Sequence, residues 1–254
     1  MRYNIRYTKD RTNTNSKGTE KMKKIFFIGD SIRQGYDNYV KESMEGIAEV
    51  YAPGENCRFA EYTLRNIHYW KDALKCGDDV DVVHWNVGHW DTLRIYGDDC
   101  LTRAEVFADY IERIQSRLEF LFPKAKFVFA TSTPVREEDF IEEFEMRYNR
   151  DIDRYNKIAI DVLKKHGVVV NDLWSVLIDR PDLDKLHSDQ THYYTPDATE
   201  LLGGQVNKVI CEVLGIDYGT LKTPDKSKYS RPEVRGDKQM YVKQGDYYIE
   251  VKGI

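Results

Sequence analysis

Four consecutive apolar residues, Ile25, Phe26, Phe27 and Ile28, follow two lysines and stop at Gly29. An unbroken apolar run bounded by a turn residue suits a strand buried on both faces, the situation of a strand inside a parallel sheet. Gly29 allows a sharp bend at the strand's C-terminal end. In open α/β sheets that edge is where ligands bind. Gly29-Asp30-Ser31 therefore puts a hydroxyl at the top of an inner strand, ahead of the next helical segment. Taken alone, the tripeptide reads first as an ordinary strand-ending turn, because such tripeptides are common.

The same alternation continues along the chain. Further strand-like runs lie at 47–52, 81–86, 126–131 and 168–170. Between them, 36–45 and 58–74 read as helical, the first after a polar turn. The best helix is 102–122, where Phe107, Ile111, Ile114, Leu118 and Leu121 share one face. Thr102 and Glu105 suit a capping box at its start. Tyr148, Ile152, Tyr155, Ala159 and Val162 mark another helix, ended by Gly167. A helical turn near 172–178 and a polar loop at 181–194 lead to a last helix opened by Pro196. Alternating strands and helices predict an α/β protein, a three-layer α/β/α arrangement around a five-stranded, mostly parallel, doubly wound sheet.

Length and charge narrow the classes. A chain of 254 residues, 41% hydrophobic and 32% charged, fits one α/β domain with an appendage. A net charge of -5 gives no electrostatic reason to expect nucleic acid as a partner. No run approaches the roughly 18 apolar residues that span a bilayer. Cys57, Cys76, Cys100 and Cys211 are scattered, without a CxxC pair, which points to reduced thiols in a cytoplasm. Residues 1–21 are polar and lack the apolar core of a secretory signal, so they read as a leader ahead of Met22. Alternation of Tyr3, Ile5 and Tyr7 offers a short added strand instead. The domain expected to carry the chemistry spans 22–215. Residues 216–254 form an extension, in which 240–242 and 247–251 read as a β-hairpin suited to covering a sheet edge or making a homodimer contact.

The second chemical signal is Asp189-Gln190-Thr191-His192, in the polar loop before the last helix. Three residues apart in a turn, the carboxylate reaches its own neighbour's imidazole. That bond fixes the tautomer and leaves the other ring nitrogen to take a proton from a hydroxyl. The loop should lie on the same rim as Ser31. Two other readings stay open. His84, His89, Asp91, Asp189 and His192 could serve a metal-dependent hydrolase, although they lack a tight ligand motif. Gly29-Asp30-Ser31 at a helix N-terminus could cradle a phosphate in a non-catalytic binder, although it lacks further glycines.

Order and spacing join the signals. Gly-Asp-Ser follows the first strand, Gly54 the second, an Asn/Gly/His-rich turn the third, and Asp-x-x-His precedes the last helix. Over 23–214 this resembles the SGNH, or GDSL-type, hydrolase superfamily, which has a flavodoxin-like fold. The resemblance implies that Ser31 is the nucleophile, with His192 and Asp189 completing a triad, and that Gly54 is an oxyanion donor through its amide. The run Tyr155-Asn156 to Asn171-Asp172-Leu173 also looks like the family. The third block departs from it: the family's Gly-x-Asn-Asp is here Gly88-His89-Trp90-Asp91. Asn86 is the favoured substitute donor and His89 the next candidate. His89 and Trp90 are also candidates for substrate contact. The implied activity is that of an acetylesterase-like serine esterase, cleaving a small acyl group, O-acetyl on a carbohydrate being the favoured case, with no cofactor.

Other residues take plainer readings. His84 reads as packed within its strand and His187 as a rim residue. Arg33 reads as solvated, or as a contact for a substrate carboxylate. Trp70, Trp85, Trp90 and Tyr193 read as packing before they read as a sugar platform. The acidic run at 137–143 reads as a solvated face or flap.

Overall fold

The computed structural model describes residues 21–229 and the backbone of two strands beyond them. The leader, and with it the strand expected at Tyr3–Tyr7, lies outside the described residues. In chain order the elements are β1 (Lys23–Ile28), α1 (Ser31–Ser43), β2 (Ala48–Tyr51), α2 (Ala60–Leu74), β3 (Val82–Trp85), β4 (Arg94–Ile95), α3 (Ala104–Leu121), β5 (Lys126–Ala130), β6 (Glu145–Met146), α4 (Asn149–Leu163), β7 (Val169–Asn171), α5 (Leu173–Leu177), α6 (Leu183–Leu186) and α7 (Pro196–Leu214). The last two strands, β8 (Met240–Gln244) and β9 (Tyr247–Val251), pair antiparallel as the expected hairpin.

The main sheet has the order β2-β1-β3-β5-β7, with every neighbouring pair parallel. Period-2 alternation divides the strands between two helical layers. Phe26 and Ile28 of β1, with Val83, Trp85 and Phe129, pack against α2, α3 and α4. Ile25 and Phe27, with Val82, Val128 and Ala130, pack against α1, α5 and α7. All four apolar residues of β1 are fully buried. Burial contributes roughly 2 kcal/mol or more for each such side chain. No helix among the described residues is long and apolar enough to cross a membrane.

Parallel strands bring all five C-terminal ends to one rim. The strand order reverses between β1 and β3, so the crevice at that reversal opens beside Ser31 and Asn86. The Asn86 N–H donates to the Ile28 carbonyl at 3.1 Å, extending the β1–β3 ladder to the rim.

Two local expectations change, and one strand pair was not anticipated. No polar turn follows Ser31: α1 begins at Ser31 itself, because the Asp30 carboxylate caps it by accepting the Ile32 N–H at 2.9 Å. The capping box at Thr102 does not form. Helix α3 starts at Ala104 with Arg103 at its N-cap and no side-chain cap. The Thr102 hydroxyl is taken by the buried Asp91 carboxylate, and its carbonyl accepts the Tyr155 hydroxyl. The short antiparallel pair β4–β6 had no sequence signal, being two residues long on each side.

Gly29 is required for a different reason than a bend. It is not among the positive-φ glycines. A Cβ built on it would meet Asn86 Oδ1 at 2.1 Å and Arg33 Cβ at 2.6 Å. Gly29→Ala should therefore destabilise the fold by about 3 kcal/mol, the upper range for overpacking. Urea unfolding checks this; a change below about 0.5 kcal/mol would mean the rim opens without strain.

Candidate active site

Ser31 stands at the first position of α1 and is half-buried. Its Oγ lies 2.8 Å from His192 Nε2, across 161 residues of chain. His192 Nδ1 lies 2.7 Å from Asp189 Oδ2. The other carboxylate oxygen accepts the N–H groups of Thr191 at 2.8 Å and His192 at 2.7 Å. This Asx-type turn locks the carboxylate to its own loop. Ser188 donates to the His192 carbonyl through its N–H at 2.7 Å and through its hydroxyl at 3.0 Å, closing the loop. With Nδ1–H donating to Asp189, Nε2 is left to accept the Ser31 proton.

Tyr194 is a supporting residue that the sequence reading missed. Its ring stacks on His192, centroids 4.8 Å apart and planes 19° apart. Its hydroxyl donates to the Ser31 carbonyl at 2.9 Å. A Cβ at Gly35 would meet this ring at 3.0 Å, which accounts for a glycine inside α1. The available signal was a tyrosine two residues past the histidine and a glycine four past the serine.

The polar groups around the serine are unusually buried. Asp30 is fully buried. Burial pushes its carboxyl up, while the Asn86 amide and the Ile32 N–H act the other way. Burial would also raise Asp189, but the His192 ring and the two backbone N–H groups outweigh it and hold the carboxyl at about 2. Asn86 is 3% exposed, and its Oδ1 has no hydrogen-bond partner. Gly54 is exposed near the start of the β2–α2 loop, and a Cβ there would meet open space. The N–H groups of Ser31 and Gly54 donate to no acceptor among the described residues.

The remaining candidates divide. His89 is buried, with Nε2 3.0 Å from the Thr133 hydroxyl and its carbonyl accepting Arg147 Nε at 2.7 Å. Burial, with Arg147 and two neighbouring histidines, holds its ring well below the usual range. Trp90 is half-buried. Trp70, Trp85 and Tyr193 are buried, so four rings do not form a surface platform. His84 is packed as expected, 3.1 Å from Asn171 Nδ2, with its pKa lowered by burial to about 3. His187, expected on the rim, is instead buried under Tyr193 with ring centroids 4.2 Å apart.

Arg33 is neither solvated nor at the surface: it is 1% exposed and bonded to the backbone around Gly54. The five residues considered for a metal do not converge. Asp91 caps α2 by accepting the Ala60 N–H at 3.1 Å, and no group of three or more His, Cys, Asp or Glu suited to a metal occurs among the described residues.

The depressed Asp189 pKa has a stability consequence. A folded-state value of about 2 lies below the ordinary 3.8, so the ionised carboxylate stabilises the native state. That contribution is complete above about pH 4 and lost as pH falls through about 2, and amounts to roughly 2 kcal/mol. Urea unfolding from pH 5 to pH 2 should show Asp189→Asn losing about that much less stability than the parent. Parallel curves would mean the loop does not hold the carboxylate.

No protein-family model and no curated protein matches the sequence. Solved structures do match the fold. A lipase/acylhydrolase from Enterococcus faecalis aligns with a TM-score of 0.60 at 22% identity, over 80% of this chain and 100% of the other. A GDSL-like lipase from Bacteroides thetaiotaomicron aligns at 0.59 and 13% identity, over 75% and 88%. An acetyl xylan esterase aligns at 0.56 and 17% identity, over 74% and 99%. The chain has the α/β/α fold of the SGNH/GDSL-type hydrolases.

Proposed function

We propose that the protein is a serine ester hydrolase that removes a small acyl group through an acyl-enzyme on Ser31. The observation that carries this reading is the unbroken contact chain from Ser31 Oγ to His192 Nε2 at 2.8 Å and from His192 Nδ1 to Asp189 at 2.7 Å. A serine hydroxyl is a weak nucleophile at neutral pH until a base takes its proton. His192 takes it as Oγ attacks the acyl carbon, and Asp189 stabilises the imidazolium that results. The alcohol leaves with that proton. Water, deprotonated by the same ring, then attacks the acyl-enzyme and releases the acid.

The oxyanion is assigned to the N–H groups of Ser31 and Gly54 and to the Asn86 amide. Two features support this: both backbone groups lack acceptors among the described residues, and Asn86 stands at the tip of the strand beside β1. Each donor is worth about 3 kcal/mol of barrier. The positive end of α1 points at the same place. The proposed catalytic unit is 22–215, and no cofactor is needed for these steps. An O-acetyl group on a carbohydrate is the proposed substrate. Support for it comes from the fold shared with an acetyl xylan esterase and from the half-buried Trp90.

A fluorophosphonate probe should label the protein and fail to label Ser31→Ala; labelling that survives removes Ser31 as nucleophile. With p-nitrophenyl acetate, His192→Ala should lose at least about 10³-fold in kcat while keeping its circular dichroism spectrum. Asn86→Ala should lose about 10²-fold. A near-normal rate in Asn86→Ala with a large loss in His89→Ala would move the third donor to His89.

A further inference from the structure

Arg33 is a buried guanidinium two residues past the proposed nucleophile, and the site chemistry gives it no role. Its side chain is 1% exposed and ion-paired with Asp37 one turn on. Nη1 donates to the Pro53 carbonyl at 2.9 Å. Nη2 donates to the carbonyls of Glu55 at 2.7 Å and Gly29 at 3.3 Å. The Gly29 carbonyl also accepts the Cys57 N–H at 3.1 Å. One planar group thus ties the end of β1 to the loop on both sides of Gly54.

The Pro53 carbonyl and the Gly54 N–H belong to the same peptide unit. That unit is planar, and the chain has no cis peptide bond among the described residues, so the two groups point in opposite directions. Holding the carbonyl against Arg33 therefore aims the Gly54 N–H away from Arg33. Gly54 has no Cβ to resist rotation of that plane. We propose that Arg33 is a positioning residue that fixes the Pro53–Gly54 peptide so that its N–H is presented to the oxyanion. This rests on the ester-hydrolase reading above. Lysine cannot substitute, because a single ammonium on a flexible stem cannot span three carbonyls as a rigid fork does.

An N–H that meets only the developing oxyanion affects the transition state and not substrate binding. In Arg33→Lys, kcat for p-nitrophenyl acetate should fall about 10²-fold with KM within about threefold. The rate of fluorophosphonate labelling should fall in parallel. Amide hydrogen exchange across 54–57 should speed at least about tenfold, while His192→Ala leaves exchange there unchanged. A folded Arg33→Lys with near-parental kcat overturns the proposal, as does a fallen kcat with unchanged exchange. Should Arg33→Lys not fold, Asp37→Asn decides: faster exchange with a kcat loss of about fivefold supports the role, and no change in either removes it. A parent protein inert to esters and probe removes the hydrolase reading and the role of Arg33 with it. An active parent with an active variant removes only the role of Arg33.

Discussion

At Gly29 three parts of the rim come within van der Waals contact. The Asn86 side chain arrives from β3 and the Arg33 stem from α1, and the Gly29 carbonyl accepts the Cys57 N–H of the β2–α2 loop together with Arg33 Nη2 of α1. A side chain at this position would separate β1 from β3 at the strand reversal where the crevice opens. Everything proposed for the site depends on that close approach. It lets α1 start at once after β1, and so puts Ser31 at a helix N-terminus instead of out on a loop.

The rim spends much of its hydrogen-bonding capacity on orientation. Asp30 caps α1, Asp91 caps α2, Asn156 clasps both the N–H and the carbonyl of Ser132 at 2.8 and 2.9 Å, and Arg33 grips the loop at Gly54. These groups are buried, where an unmade hydrogen bond is costly, so each holds one geometry firmly. The Ser31 hydroxyl, the His192 ring and the Gly54 amide are left at the accessible edge of this fixed frame. A frame of that kind can present charge-stabilising groups without reorganising during a reaction.

Much of this was legible in the chain. The five strands follow from runs of apolar and β-branched residues, and the Asp189–His192 pair follows from a three-residue spacing within one turn. Those signals are local, so the sequence carries them directly. The position of Arg33 was not legible, since an arginine on an amphipathic helix is usually solvated. Here its burial depends on where the β2–α2 loop lies, although the Asp37 partner four residues on was a hint. The start of α3 was misjudged for a similar reason: Asp91, distant in sequence, takes the Thr102 hydroxyl that a local rule assigns to the helix end. Tyr194 and His187 are cases in which ring stacking, absent from any spacing rule, decides exposure.

By itself the sequence determined the alternation of strands and helices and the identity of the groups able to react. Hydrophobic periodicity and turn chemistry act over a few residues, so they can be read from a few residues. Which groups meet was decided only by the tertiary structure. The parallel register and the reversal of strand order bring residues 31, 54, 86 and 192 to one rim, and such proximity is a property of the whole chain path.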